Sequence, residues 1–268
     1  MKLSITIVNY NQKYFPSLCL GALKESKFKD FEVIVCDNHS SDESIQFLRK
    51  AAKTAAKAGP SENEIKLIES KKNLGYGAAH NKAAYEAWGQ YLLILNTDIT
   101  VEPETLGKMV EYMEKHGEIG ILGPKLMYHN GTVQPSCRRD FKFFDLMIKR
   151  TFLKKIGKWK RRYQKYVMAD FDHEKTQEVD LITGAFMMMP RKLFEKVGGF
   201  DERFFLFMED FDLCRKVRGA GYKIVYFPQA VAKHYHKRLS EGWFLRLVFS
   251  RISWLHLVSA VKYFWKWR

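Results

Sequence analysis

Acidic residues crowd one apolar stretch of this chain. In "RFFLFMEDFDL", Glu209, Asp210 and Asp212 sit among phenylalanine, leucine and methionine. Carboxylates in such surroundings hold a proton more tightly than in water, which suits a general base working near neutral pH. Asp212 and Arg215 are three residues apart, the spacing of a structural ion pair on a helix. Asp210 is therefore expected to serve catalysis, and Asp212 to pair with Arg215. Two further acids close apolar runs. Asp37 follows "FEVIVC" and begins the polar cluster "DNHSSDES". That cluster can bind a ribose diol or a pyrimidine edge, while Ser41, Ser44 or Asp42 equally read as helix caps. Asp98 closes "LLILNTD", two residues after Asn96. A carboxylate there can hold Mg2+ or Mn2+ on a diphosphate, or simply make an Asx-turn. His234 and His236 in "KHYHK" share one face of a strand and become ligands only if the fold brings them to that site. In "KNLGYGAAHNKA", Gly75 and Gly77 let backbone approach a ligand. No Gly-Lys-Ser/Thr follows, so this is no P-loop, and no G-x-G-x-x-G follows the first apolar run.

The elements that must position these groups alternate. Residues 3–8 read as a buried strand ending at the polar turn Asn9-Tyr10-Asn11, and 16–27 as a helix with Pro16 in its first turn. Strands are expected at 31–36, at "IKLIES" and at "YLLILN", with helices from Ser44 to Ala58, after "KKNLGYG" and over 103–116. This rhythm predicts an α/β domain with a mainly parallel, Rossmann-like central sheet and helices on both faces. Ligands of such sheets bind beyond the carboxyl ends of the strands, where Asn9, Asn11, Asp37, Asn96 and Asp98 fall. In the second half, Asn130-Gly131 reads as a hairpin turn, and a helix is expected near Arg191.

The chain has 268 residues, 46% of them hydrophobic, enough for a sizeable core and against disorder as a class. Its four cysteines lack metal or redox spacing and read as buried thiols of a cytoplasmic protein. The N-terminus opens directly on a strand pattern, with no leader apparent. The net charge of +15 is localised. Residues 142–165 carry ten basic residues against Asp145 alone, and 237–268 carry seven against Glu241 alone. Together these two aromatic-rich runs account for the whole excess. Two such runs argue for an anionic surface as partner. The longest uncharged run in the C-terminal stretch, Ile252–Val261, has ten residues, about half the ~20 a spanning helix needs. An amphipathic helix lying in a membrane interface is expected, with packing on the domain or a homodimer contact as the alternatives. A nucleic-acid-binding protein is the rival from another class, but no such motif accompanies the basic runs.

Taken together, "SITIVNYN", "FEVIVCDNHSSDES", "NLGYGAAHNKA", "LLILNTDI", "VDLITGAFMMMPRKLFEKVGGFDERFFLFMEDFDLCRK" and the His234 neighbourhood resemble the bacterial family 2 inverting glycosyltransferases, rhamnosyltransferase-type, in their order and over roughly residues 3–236. The resemblance implies the GT-A nucleotide-diphospho-sugar transferase fold with a C-terminal amphipathic helical extension. The implied organisation is a catalytic domain at 1–236, made of a nucleotide-sugar half (1–125) and an acceptor half (126–236) with a basic insertion at 142–175, then the extension at 237–268. It implies that Asn9, Asn11, Asp37, Asn73, Gly75, Asn81, Asn96 and Asp98 form the nucleotide-sugar site. Asp98 and His234 would hold a divalent metal, Mg2+ or Mn2+. Asp210 would be the base, with Glu209 and Gly184 on the acceptor side. Asn96 stands where the family's D-x-D motif begins with Asp, which lowers the charge offered to a metal. The Q-x-x-R-W motif of processive synthases is absent, so transfer of a single sugar is expected. The implied reaction moves L-rhamnose from dTDP-rhamnose to a lipid-linked saccharide in bacterial cell-surface polysaccharide assembly, by a cytoplasmic enzyme peripheral to the inner face of the membrane. A UDP-hexose donor is the alternative.

Overall fold

A computed structural model of the chain describes residues 1–58, 64–235 and 251–268. The first half runs β1 (Leu3–Asn9), α1 (Phe15–Lys24), β2 (Phe31–Asp37), α2 (Ser44–Ala58), β3 (Ile65–Glu69), α3 (Tyr76–Tyr85), β4 (Tyr91–Asn96), β5 (Ile99–Val101) and α4 (Thr105–Lys115). The second runs β6 (Ile119–Tyr128), β7 (Cys137–Arg138), α5 (Phe143–Arg150), α6 (Gly157–Val167), β8 (Gln177–Glu178), β9 (Leu181–Ile182), β10 (Phe186–Pro190), α7 (Arg191–Lys196), α8 (Glu209–Gly219), β11 (Lys223–His234) and α9 (Arg251–Lys266). The main sheet has the order β3-β2-β1-β4-β10-β6-β11-β5. Strands β3, β2, β1 and β4 are parallel, as the alternating pattern predicts. Strand β10 then joins the halves, antiparallel to both β4 and β6. The sheet is therefore continuous across the expected nucleotide and acceptor halves.

Period-two alternation within each strand divides the core into two layers. Val33 and Val35 of β2, with Leu93 and Leu95 of β4, pack under α1 and α4 through Leu20, Leu23, Leu106 and Met109. Ile34, Cys36, Leu92 and Ile94 face the other way, onto Ala79 and Ala83 of α3 and Leu213 and Val217 of α8. This is why the strands read as continuous apolar runs. All four cysteines are buried thiols.

Three readings change. Strand β5, just past Asp98, was hidden by its three-residue length. At Asn130-Gly131 the chain does reverse, with the Tyr128 N–H donating to Thr132 O at 2.8 Å. The return arm contributes only the single bridge Met127–Val133, not a strand. Arg215 does not pair with Asp212. It bonds Asp140 at 2.6 Å and lies over the Tyr263 ring. Asp212 is fully buried and accepts bonds from Lys266 Nζ and Trp267 Nε1, both at 2.8 Å. Partners from α9 and the residue that follows it displace the local i,i+3 pair.

The inner face of α9 packs on the domain, burying Ser259, Ala260 and Tyr263. The rest of the expected extension, residues 237–250, lies outside the described residues, as does His236. Among the described residues, no helix is long and apolar enough to cross a membrane.

His80 of α3 is fully buried beneath the site, with Nδ1 3.0 Å from Thr6 Oγ1. Burial pushes its pKa down to about 3. The unfolded chain therefore binds a proton that the native one refuses, and stability is lost as pH falls from the ordinary histidine value of 6.5 toward 3. The expected slope is about 1.4 kcal/mol per pH unit. His80→Asn, which keeps an acceptor near Thr6, removes one proton from that slope in denaturant titrations across this range.

Candidate active site

Polar side chains gather beyond the carboxyl ends of β1, β2 and β4. Asn9 and Asp37 end neighbouring strands in register. The Asn9 amide nitrogen donates to Asp37 Oδ1 at 2.9 Å and contacts the Ser40 and Ser44 hydroxyls. Asp37 Oδ2 accepts from the Ser40 N–H at 2.9 Å. Asn11, in left-handed backbone with φ 52°, accepts from the Ser41 N–H at 2.8 Å. Asp37 and its serines thus form one preorganised cluster with the first loop. Asn38 extends it: its amide nitrogen donates to Asn73 Oδ1 and Gly75 O, and its Oδ1 accepts from the Leu74 N–H.

Gly75 caps the start of α3 at φ 87°. A Cβ there would lie 2.3 Å from the Phe205 carbonyl oxygen. The glycine loop thus abuts the segment leading to Glu209, which explains why glycine stands here. Gly75→Ala is expected to cost about 1–3 kcal/mol in strain alone and to lower turnover by displacing residues 205–209. Denaturant midpoints and initial rates measured together check both effects. Asn81 has a related task. It accepts from the Phe200 N–H and donates to Phe200 O and Glu202, clipping the same segment onto α3.

Phe207 and Met208 are consecutive non-glycine residues at φ 70° and 71°. Such strain persists only where surroundings impose it, and it collects at functional sites. Here the surroundings are α3 on one side and α9 on the other, where the Ser259 hydroxyl donates to Leu206 O at 2.9 Å. The strained pair delivers Glu209 and Asp210 into the first turn of α8, whose amide ends favour negative charge. Asp210 Oδ2 accepts from the Gly184 N–H at 3.0 Å, and its Oδ1 from the Phe211 N–H at 2.9 Å. Two backbone donors orient and stabilise a carboxylate. Glu209 is buried, and its Oε2 has no hydrogen-bond partner. Burial first, and the Asp210 charge second, push its pKa well up. The pair therefore differs: burial favours the protonated form of Glu209, while two backbone donors favour the charged form of Asp210.

Asp98 Oδ1 lies 3.2 Å from His234 Nε2. The Gln134 side-chain oxygen sits 2.9 Å from His234 Nδ1; with Nδ1 as the donor in that bond, Nε2 is left to face Asp98 as an acceptor. Two acceptors facing each other suit a shared cation. An oxygen and an imidazole nitrogen fit Mn2+ or Mg2+, with diphosphate oxygens and water left to complete the shell. Among the described residues no group of three or more such ligands forms by itself.

One residue absent from the expected roles connects the parts. The Tyr76 hydroxyl lies 2.9 Å from Asn96 Oδ1 and 2.8 Å from Gly184 O. Burial raises its pKa most, and the neighbouring acids Glu209, Asp210 and Asp98 raise it further. All three acids thus act on one hydroxyl, although they come from distant parts of the sequence. The lone tyrosine between Gly75 and Gly77 was the only signal for it.

A parallel half-sheet with acids at its strand ends, joined through an antiparallel strand to a half presenting a carboxylate pair, is the GT-A fold of nucleotide-sugar transferases. The "Glycosyl transferase family 2" model matches residues 4–198, and the "N-terminal domain of galactosyltransferase" model matches residues 160–238. The chain belongs to glycosyltransferase family 2. It is 27% identical over 257 residues to the N-acetylglucosaminyl-diphospho-decaprenol L-rhamnosyltransferase of Mycobacterium tuberculosis, covering 90% of this chain and 78% of that protein. Among solved structures, TarS from S. aureus superposes with a TM-score of 0.60 at 19% identity, covering 87% of this chain and 60% of that one. The mannosyltransferase PcManGT of Pyrobaculum calidifontis, with GDP-Man and Mn2+, gives 0.61 at 19% identity, covering 89% and 58%. The chain thus spans less than two thirds of these two solved chains.

Proposed function

We propose that the chain transfers a single sugar, L-rhamnose from dTDP-rhamnose, to a lipid-diphosphate-linked saccharide, inverting the anomeric carbon. The observation that carries this is the Tyr76 hydroxyl, 2.9 Å from Asn96 Oδ1 in the turn that holds Asp98 and 2.8 Å from the carbonyl of Gly184, whose N–H donates to Asp210, because it links a turn suited to a diphosphate with a candidate base. The name of the mycobacterial relative supports both the rhamnosyl donor and the lipid-linked acceptor.

In this reading, Asn9, Asn11, Asp37 and Asn73 receive the nucleoside. Asp98 and His234 would hold a divalent ion, which when bound neutralises charge on the departing diphosphate. Asp210 takes the proton from the acceptor hydroxyl as its oxygen forms the new bond to the anomeric carbon. The bond from that carbon to the diphosphate breaks in the same displacement, and the nucleoside diphosphate leaves with the electron pair. Protonated Glu209 and the Gly184 backbone orient the acceptor. Gln134 fixes the histidine tautomer, so Gln134→Leu is expected to weaken Mn2+ binding about 10- to 100-fold, read by electron paramagnetic resonance titration.

The test is release of nucleoside diphosphate across a panel of nucleotide sugars, with and without divalent metal. Turnover with dTDP-rhamnose alone is the expected result. Turnover with a UDP-hexose alone would replace the donor while leaving the transferase reading intact. Activity with none of them, in the presence of lipid-linked acceptors, would overturn it.

A further inference from the structure

Residues 142–165 and 251–268 are far apart in sequence, yet they meet. Phe143 contacts Phe264 with ring centroids 5.5 Å apart, and Phe141 stacks on Tyr263 at 5.8 Å. The two basic, aromatic segments thus form adjoining parts of one surface. On α9, Trp254, Leu257, Val258, Val261 and Trp265 are all exposed, the two tryptophans by 61% and 69%. Their spacing of i, i+3, i+4, i+7 and i+11 places them on one stripe about 100° wide. That stripe lies opposite the buried face of Ser259, Ala260 and Tyr263. Phe143, which meets Phe264, is also exposed, as are Phe152 and Ile156 of the same basic segment. The described exposed charges of 142–165 are all cationic, among them Lys155, Lys158, Lys160 and Arg161. The one acid in that segment, Asp145, is buried against Arg162. Residues 251–268 contain no acid at all.

We propose that this composite face docks the protein on an anionic lipid bilayer, with α9 lying in the plane of the interface. An exposed apolar stripe on a helix without acids, adjoining a segment whose exposed charges are all cationic, is what a headgroup region accepts: apolar side chains enter the acyl boundary and cations stay at phosphate level. The aliphatic members decide against nucleic acid. Leu257, Val258 and Val261 gain by leaving water but offer no plane for a base to stack on. The helix is also fastened to the catalytic segment by its other face. Lys262 Nζ donates to Arg203 O, and Lys266 binds both Asp201 and Asp212, each at 2.8 Å. Lipid and the segment that carries the base therefore meet opposite sides of one helix, whose width is about 10 Å. This extends the lipid-linked acceptor reading, and its test is kept separate from that reading.

The experiment is flotation of the full chain with vesicles of phosphatidylglycerol and phosphatidylcholine, against phosphatidylcholine alone, at physiological salt. Binding at least about tenfold stronger to the anionic vesicles is expected. Val261→Glu with Trp265→Ser, and independently Lys158→Glu with Arg161→Glu, should each lose about tenfold of it. These positions are exposed, so thermal midpoint and donor hydrolysis should stay unchanged. Vesicle binding untouched by either pair would overturn the proposal. So would tighter binding to a 20-nucleotide single strand than to vesicles. A dimer in sedimentation equilibrium that Val261→Glu with Trp265→Ser converts to monomer, with no vesicle binding by the wild type, would assign the stripe to a second copy instead. Lost donor turnover alongside intact vesicle binding would count against the transferase reading and leave the docking face standing.

Discussion

Asp210→Asn lowers transfer by about 100- to 10,000-fold while leaving nucleotide affinity within about twofold of the wild type. The substitution keeps the shape of the side chain and removes its basicity. The Asn oxygen can still accept one of the bonds from Gly184 and Phe211 that hold Asp210. The loss therefore reports proton transfer rather than collapse of the loop. The groups proposed to receive the nucleoside, Asn9, Asp37 and Asn73 with Asn38 between them, are joined by their own hydrogen bonds, none of which involves Asp210. Isothermal titration with the nucleoside diphosphate, beside steady-state rates, separates the two quantities. Near-normal turnover in Asp210→Asn would remove the base from this residue. Glu209→Gln is the natural comparison, because burial favours the protonated form of Glu209. Its amide preserves the neutral state, and the expected loss is smaller than that for Asp210→Asn.

Asp98→Ala is expected to lower kcat/KM by about 100- to 1,000-fold, in keeping with the several kcal/mol that a bound metal ion supplies to a departing diphosphate. It should also abolish the response to EDTA. Asp98 and His234 face each other at 3.2 Å, and neither replaces the other. His234→Ala should therefore show the same pattern to a lesser degree, since the carboxylate carries the charge. Nucleoside diphosphate affinity with and without Mn2+ is the direct measurement. Equal affinity in both conditions for the wild-type chain would exclude a metal role for this pair. Asn96 shapes the expectation too. Its Oδ1 is within hydrogen-bond reach of the Tyr76 hydroxyl, which ties it to the acceptor side. An Asp at that position would add a charge beside three acids that already act on Tyr76.

The parallel strands, the helices between them and the positions of Asp37 and Asp98 at strand ends were legible in the sequence. They rest on local rules. A strand buried on both faces must be apolar throughout, and it must stop where polar residues begin. The same rules exposed Glu209 and Asp210 of "MED", because two adjacent carboxylates in an apolar run call for a partner or a task. The two basic segments were equally plain, since charge tallies need no fold.

Other features belong to the tertiary structure alone. Asp212 and Arg215 obey the helix rule for an ion pair, yet they bind Lys266 and Asp140 respectively. A buried carboxylate takes whichever cation the packing delivers, and α9 delivers one from 54 residues away. The division of labour between Glu209 and Asp210 depends on burial of one and on backbone donors to the other, neither of which is written in adjacent letters. Tyr76 gained its place only when α3, β4 and the loop at Gly184 came together. The sequence by itself determined which residue types were available and which ends of which strands they occupy. The fold decided which of them meet, because hydrogen bonds and desolvation act across distances of a few ångströms that residue spacing does not measure.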